Sequence, residues 1–373
     1  MPSKRPIAIV QSLCALELGA GAFVVALMEA LHDIVPSDRN LFDWSDDQGQ
    51  LLHYYIEGAV DVGIARLYFD EFHNRREGQC MPVFNSLRDT PLGVRSAREL
   101  DHPSFYASDL YQQIWRPQGL HSRVECVIRG RQGRLLGSLV LYRGPDQPHF
   151  TPAEERTLAE LIPWIARGLE APATPHDSGY VQGPEAPESL VMSLDGRVHG
   201  ASPGVARLLM LADEGLSERT TTLPMSELVL RQFGGLLAQL RTLARAGPPE
   251  AARRWPSQTR LNALGRFDAQ AVLLWPLPGD ARRAPMAQVT VHWMEPRRVA
   301  VSRVLRTLPL TAGQSVVCSA LLRGESQAAI AERCSVAPST VADHVRKIYR
   351  ALDVGSTWEL RTLVEQRLTG TSA

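Results

Sequence analysis

Seven polar side chains lie at helical spacing near the C-terminus, all but the acid able to grip a polyanion: Ser339, Thr340, Asp343, His344, Arg346, Lys347 and Arg350. Hydroxyls in a helix's first turn sit beside free backbone N–H groups, which favour a phosphate oxygen, and the cations beyond can neutralise further phosphates. Pro338 fits the first helical turn. Val341, Val345, Ile348 and Leu352 recur at four, three and four residues. They form one apolar face, which leaves the polar set on the outward face. Asp343 is the odd member, because phosphates repel an acid. Either it pairs with Arg346 or Lys347, three and four residues on, or it accepts from cytosine N4.

Other chemistry is sparse. The five cysteines (14, 80, 126, 318 and 334) form no C-x-x-C pair, which reads as reduced thiols in cytoplasm with no disulfide framework and no metal site. Gly200-Ala-Ser202-Pro-Gly204 has the outline of a nucleophile elbow. Such an elbow uses the N–H after the serine in its oxyanion hole, and Pro203 has none. No enzyme is expected. The only lysines are Lys4 and Lys347, so no Gly-Lys dipeptide and no Walker loop exist. A phospho-receiver domain, which needs a lysine beside its acidic pocket, is disfavoured for the same reason.

The elements that must position the polar face are legible around it. Thr311 with Gln314 forms a capping box, Gly324 ends that helix, and Ser326 caps a short second helix with Ile330 inward. Residues 334–337 break the chain before the helix at 338–352, and Ser356 with Glu359 caps a fourth. Two short helices joined by a tight turn, the second basic outward, have helix-turn-helix geometry suited to a major groove. From Arg297 to Arg350, nine basic residues face three acids, a local charge of +6 in a chain of 373 residues whose net charge is zero. That is the footprint double-stranded DNA requires. Leu360, Leu363, Val364 and Leu368 make a stripe larger than a three-helix core needs, which predicts a homodimer on an inverted repeat.

The segment 308–368 resembles the LuxR/NarL-type helix-turn-helix domain. The resemblance rests on Leu310-Thr311, Gly324, Ile330-Ala331-Glu332, Val336, Thr340-Val341, His344, Ile348, Leu352, Val354 and Ser356…Glu359-Leu360, in ungapped spacing. It implies an all-α four-helix DNA-binding module, with His344 structural or phosphate-contacting. Ala337 stands where the family commonly has a capping Ser or Thr, and Ala342 and Ala351 stand where it has lysines.

Upstream, length alone implies two or three domains. An amphipathic helix is expected near 12–34. Glu17 and Glu29 interrupt that apolar stretch, which argues against a signal peptide, and no run is long enough to span a membrane. Val124–Arg129 and Leu135–Tyr142 flank a hairpin turn, and Thr151-Pro152-Ala-Glu154 opens a helix. Together with the stretch from Phe105 to His121, these resemble the end of a GAF domain over 10–170, a family that binds small molecules between sheet and helices. Residues 171–188, with four prolines, read as a linker. In 189–295, Asp195-Gly196 predicts a type I′ hairpin, Ser202-Pro203 starts a helix, and alternation at 265–275 and 286–294 predicts strands. That order resembles a PAS domain, with Ser202 at the family's usual Asn. The aromatics Tyr54, Tyr55, Tyr68, Phe69, Phe72, Phe105, Tyr106 and Tyr111 are expected in the core.

The expected protein is multidomain: two α+β sensory domains with antiparallel sheets and helices, then the helical module. Its expected role is that of a cytoplasmic bacterial transcription regulator. No cofactor is implied, and the N-terminal domains leave room for a small-molecule ligand. The rival reading is a protein–protein interaction module with a weakened helix-turn-helix.

Overall fold

The computed structural model describes residues 4–91, 93–172, 179–213, 215–248, 254–277 and 284–370. The predicted linker therefore lies, at 173–178, outside the described residues. The chain forms two compact units, one from Met1–Ile34, Pro163–Val181 and Pro296–Ala373, the other from Val35–Ile162 and Gln182–Glu295.

The second of these units carries two antiparallel sheets. In the first sheet β1 (Arg39–Ser45), β2 (Leu51–Ile56), β3 (Gly93–Arg95), β4 (Ser122–Arg129) and β5 (Leu135–Arg143) lie in the order β2-β1-β5-β4-β3. The expected hairpin is β4–β5, closed where Gly130 N–H donates to the Arg134 carbonyl at 2.8 Å. At Gly137 the backbone has φ +144°, and an added Cβ would lie 1.8 Å from the Asp43 carbonyl oxygen. Glycine thus lets β5 press directly on β1. Gly137→Ala is expected to destabilise this unit by at least about 1–3 kcal/mol, read as a lowered midpoint in thermal unfolding. An unchanged midpoint would show that the strands part freely there.

The second sheet contains β6 (Tyr180–Gln182), β7 (Glu188–Ser193), β8 (Val198–Ala201), β9 (Ser257–Asn262), β10 (Gly265–Leu274) and β11 (Met286–Pro296). The order is β8-β7-β11-β10-β9, with β6 beside β11. The alternation read in β11 holds: Ala287, Val289, Val291 and Trp293 are buried. Trp293 stacks on Phe267 and donates its indole N–H to the Leu264 carbonyl at 3.1 Å. The turn between β7 and β8 differs from expectation. Gly196 has φ +100°, but Asp195 is not left-handed, and Gly196 N–H returns to the Ser193 carbonyl. A type I′ turn needs positive φ at both positions, so this is a longer loop with one left-handed residue. Helix Met225–Ala246, unread in the sequence, lies against β9 and β10.

The other unit is helical. The expected N-terminal helix is two helices, Lys4–Cys14 and Ala20–His32, separated at Glu17 and Gly19, where φ is +49° and +74°. The second is buried on nearly every side. Arg303 of helix Arg297–Thr307 makes a bidentate pair with Glu29, at 2.9 and 2.6 Å. The helices Ala312–Leu322, Gln327–Cys334, Pro338–Leu352 and Thr357–Leu368 follow. Their inward side chains form a cluster with Leu305 and Leu308 that includes Val317, Cys318, Ile330, Val341, Val345, Ile348 and Leu360. Helix Pro152–Glu170, which begins in the sheet-bearing unit, opens on the anticipated capping box, with Thr151 N–H to Glu154 at 2.7 Å and Glu154 N–H to the Thr151 hydroxyl at 3.3 Å. Among the described residues no helix is long and apolar enough to cross a membrane.

Candidate functional site

Two places gather chemistry-bearing side chains, one in each unit. The first is the helix Pro338–Leu352. Its entry is built by local signals: Thr311 and Gln314 cap the helix two before it reciprocally, Ser326 accepts from Ala329 N–H, and Ser335 turns the chain with φ +53°. Ala337 supplies no side-chain acceptor to the first turn. Val341, Val345 and Ile348 point into the core, as their spacing requires.

The outward face carries Ser339, Thr340, Arg346, Lys347 and Arg350, all exposed, with Asp343 half-buried among them. Asp343 is held by Lys347 Nζ at 2.6 Å and Arg346 Nη2 at 3.5 Å. The hydrogen bond from Lys347 draws its carboxyl below the usual aspartate range. Of the seven residues singled out, His344 stands apart. It is half-buried with its ring beside Gly313 of the preceding long helix, and its Nδ1 has no partner. Leu360 and Val364 of the last helix are buried, Leu363 and Leu368 half-buried, and Trp358 exposed.

The second place was not read in the sequence. One face of the first sheet and the segments packed on it line a partly open cavity of about 140 Å³. Strand period two brings Arg39, Leu41 and Asp43 of β1, Arg123 and Glu125 of β4, and Val140 and Tyr142 of β5 to that face. Pairing sets Leu41 beside Val140, Val140 beside Glu125, and Glu125 beside Arg95 of β3. Tyr54, Tyr68 and Phe69 also line the cavity, while Phe72, Phe105 and Tyr111 sit in the adjoining apolar cluster. Of the eight aromatics expected in the core, Tyr54, Tyr55, Phe69, Phe72, Phe105 and Tyr111 are buried and Tyr68 and Tyr106 pack, partly buried, against the apolar cluster, so lining the cavity comes in addition to the core role.

The polar end of the cavity is a buried charge cluster. Glu125 accepts from Arg95 Nη1 at 3.1 Å and Arg123 Nη2 at 3.3 Å. Glu77 accepts from the Tyr68 hydroxyl at 2.8 Å and from the N–H groups of Asn74 and Phe84 at 2.8 and 3.0 Å. Among the described residues Asp43 meets only the Ser138 hydroxyl, at 3.3 Å. Burial, reinforced by the charge of Glu125, pushes the Asp43 carboxyl well above the usual aspartate range. Burial also holds His73 below its ordinary value, which favours the neutral ring. The legible trace of this cluster is Arg123-Val-Glu125-Cys, where charges alternate with apolar residues in a strand buried on both faces.

Ser202 of the elbow-like motif is engaged with the backbone: its hydroxyl donates to the Ser189 carbonyl at 3.0 Å and accepts from Ser189 N–H at 2.8 Å. All five cysteines are unpaired.

No family model and no curated protein matches the chain. Among solved structures, a phage VqmA–DPO complex overlaps 50% of this chain and 83% of its own, at 15% identity and a TM-score of 0.20. The E. coli DhaR(N)–DhaL complex overlaps 76% of this chain and 87% of its own, at 13% identity and a TM-score of 0.25. Superpositions this slight place no constraint on fold or activity.

Proposed function

We propose that the chain is a bacterial, cytoplasmic, sequence-specific DNA-binding transcription regulator and not an enzyme. In this reading 308–368 is a LuxR-type helix-turn-helix module, and the GAF-like 10–170 and PAS-like 189–295 segments, joined by 171–188, control it through a ligand or partner. The observation that carries the reading is the outward face of helix Pro338–Leu352, where Arg346, Lys347 and Arg350 stand exposed over a buried Val341, Val345 and Ile348 stripe. A helix fixed on one side and cationic on the other can enter a major groove and neutralise phosphates. Ligand control would follow from unequal affinity for two arrangements of the chain. Homodimerisation would place two such helices about one helical turn apart on an inverted repeat.

A salt-dependent gel shift with genomic fragments tests the reading. Retarded fragments that share a sequence, with binding weakened by salt, are the expected result. The rival, an interaction module with a weakened helix-turn-helix, draws on Ala337, which gives the helix no cap, on Ala342 and Ala351, and on Asp343. It requires no retardation at low salt.

Asp343 gives a sharper test. Its pairing with Lys347 and Arg346 favours a charge-balancing role over base reading. Asp343→Ala is then expected to tighten binding a few-fold on every sequence, because a charge repelled by phosphate is removed. In the base-reading case, discrimination at one position falls instead, by about 1–3 kcal/mol. Unchanged affinity and preference would mean that this face does not meet the groove.

A further inference from the structure

The cavity on the first sheet has a size, a wall and a charge balance that together specify a ligand. Protein interiors rarely keep voids larger than a water molecule. This one, at about 140 Å³, is close to the roughly 150 Å³ of engineered apolar cavities that hold a benzene ring. Leu41, Ile64, Phe69, Ile114, Trp115 and Val140 supply its apolar wall.

The polar end decides the chemistry. Arg95 and Arg123 are matched by Glu125 and Glu77, and Arg39, at the other end, spends its donors on the Glu57 carbonyl and Gln118. His73 is held toward its neutral form by burial. The cluster around Arg123 therefore stands close to charge balance, two guanidiniums facing Glu125 and Glu77 while burial pushes Asp43 toward its protonated form; burial raises the Glu77 carboxyl as well, against the three donors that hold its charge. A charged ligand would add a buried, unmatched charge, which is costly. What the cluster leaves over is donors. Arg123, whose side chain is nine-tenths buried, gives one arm to Glu125, sets its guanidinium 5.8 Å from the centre of the Trp115 ring, and has further N–H groups with no hydrogen-bond partner among the described residues. A protonated Asp43 carries an O–H and, among the described residues, meets only Ser138.

We propose that this cavity binds a neutral, single-ring aromatic compound bearing a carbonyl-type acceptor, with the ring against the Phe69 and Trp115 wall and the acceptor on the free N–H groups of Arg123. The proposal deepens the regulator reading by giving its sensory part a ligand class. It rests on that reading only for the ligand's effect on DNA.

The test is titration calorimetry on the full chain with benzamide and acetophenone, set against benzoate and benzylamine, which keep the ring and add a charge. Saturable binding of the neutral pair, with both charged compounds at least about tenfold weaker, is expected. Arg123→Gln is expected to weaken benzamide by about tenfold. Val140→Phe, which fills the cavity and leaves every charged group in place, is expected to abolish binding without loss of circular dichroism. Charged probes binding as well as neutral ones, binding that survives Val140→Phe, or no binding by either neutral probe would overturn the proposal. A gel shift with benzamide separates the two readings. Binding of benzamide with no change in DNA affinity supports the ligand class and counts against the regulatory coupling. DNA binding with no benzamide binding overturns the ligand class and leaves the regulator reading in place.

Discussion

Replacing Arg346, Lys347 and Arg350 together by alanine is expected to lower DNA affinity by about a hundredfold or more, with the fold intact. The magnitude follows from about 1 kcal/mol or more per cation lost, each cation being a phosphate or base contact. The three residues are exposed on the outward face of helix Pro338–Leu352 and belong to none of its core contacts, so their removal leaves the Val341, Val345 and Ile348 stripe untouched. One secondary change accompanies the loss. Asp343 loses both of its partners and becomes an uncompensated negative charge on the same face, which deepens the effect. Anisotropy titrations of a retarded fragment measure it, and circular dichroism confirms the helices. A variant that binds as well as the parent would place the DNA contact elsewhere or nowhere.

The second large effect is on stability. Ile348 is fully buried in the C-terminal helical cluster, packed among residues of four helices. Ile348→Ala is expected to destabilise that cluster by about 2–5 kcal/mol, through lost transfer energy and the cavity left behind. Because the chain has two compact units, calorimetry is the suitable measurement, and the loss is expected in one transition only. Binding of DNA would fall with it, since the helix presenting Arg346 and Lys347 is held by this packing. An unchanged transition would show that the helix is fixed by something other than its apolar stripe.

The C-terminal helices were legible because their signals are local. Thr311 with Gln314, Ser326, Pro338 and Ser356 mark boundaries within one turn of where they act, and the four-three-four spacing of Val341, Val345, Ile348 and Leu352 sets the inward face without help from the rest of the chain. The outward face then follows by exclusion. His344 is the exception: its position next to the inward face and its approach to Gly313 depend on a neighbouring helix, which spacing alone does not report.

The cavity was illegible for the opposite reason. Strand β1 reads Arg39-Asn-Leu-Phe-Asp43-Trp-Ser, and its cavity-facing positions are Arg39, Leu41 and Asp43. Charges on that face destroy the alternation by which a half-buried strand is recognised. Glu77 is fully buried in a short irregular segment whose polar sequence looks like an exposed loop. The N-terminal break is half hidden: Gly19 marks it, but Glu17, a non-glycine residue with positive φ, gives no compositional sign of itself. The Asp195-Gly196 pair marks the place of the turn along the chain but not its type, since it also suits a loop in which Gly196 alone is left-handed.

In the proposed function, helix Pro338–Leu352 meets DNA through its cationic face. The most direct measurement is the salt dependence of binding, parent against the triple alanine variant, on a fragment selected from genomic DNA by the parent protein. A steep fall of affinity with salt is expected in the parent, and a log–log slope shallower by roughly three in the variant, about one unit for each phosphate contact removed. A parent protein whose binding ignores salt, or a folded variant whose slope and affinity equal the parent's, would contradict it.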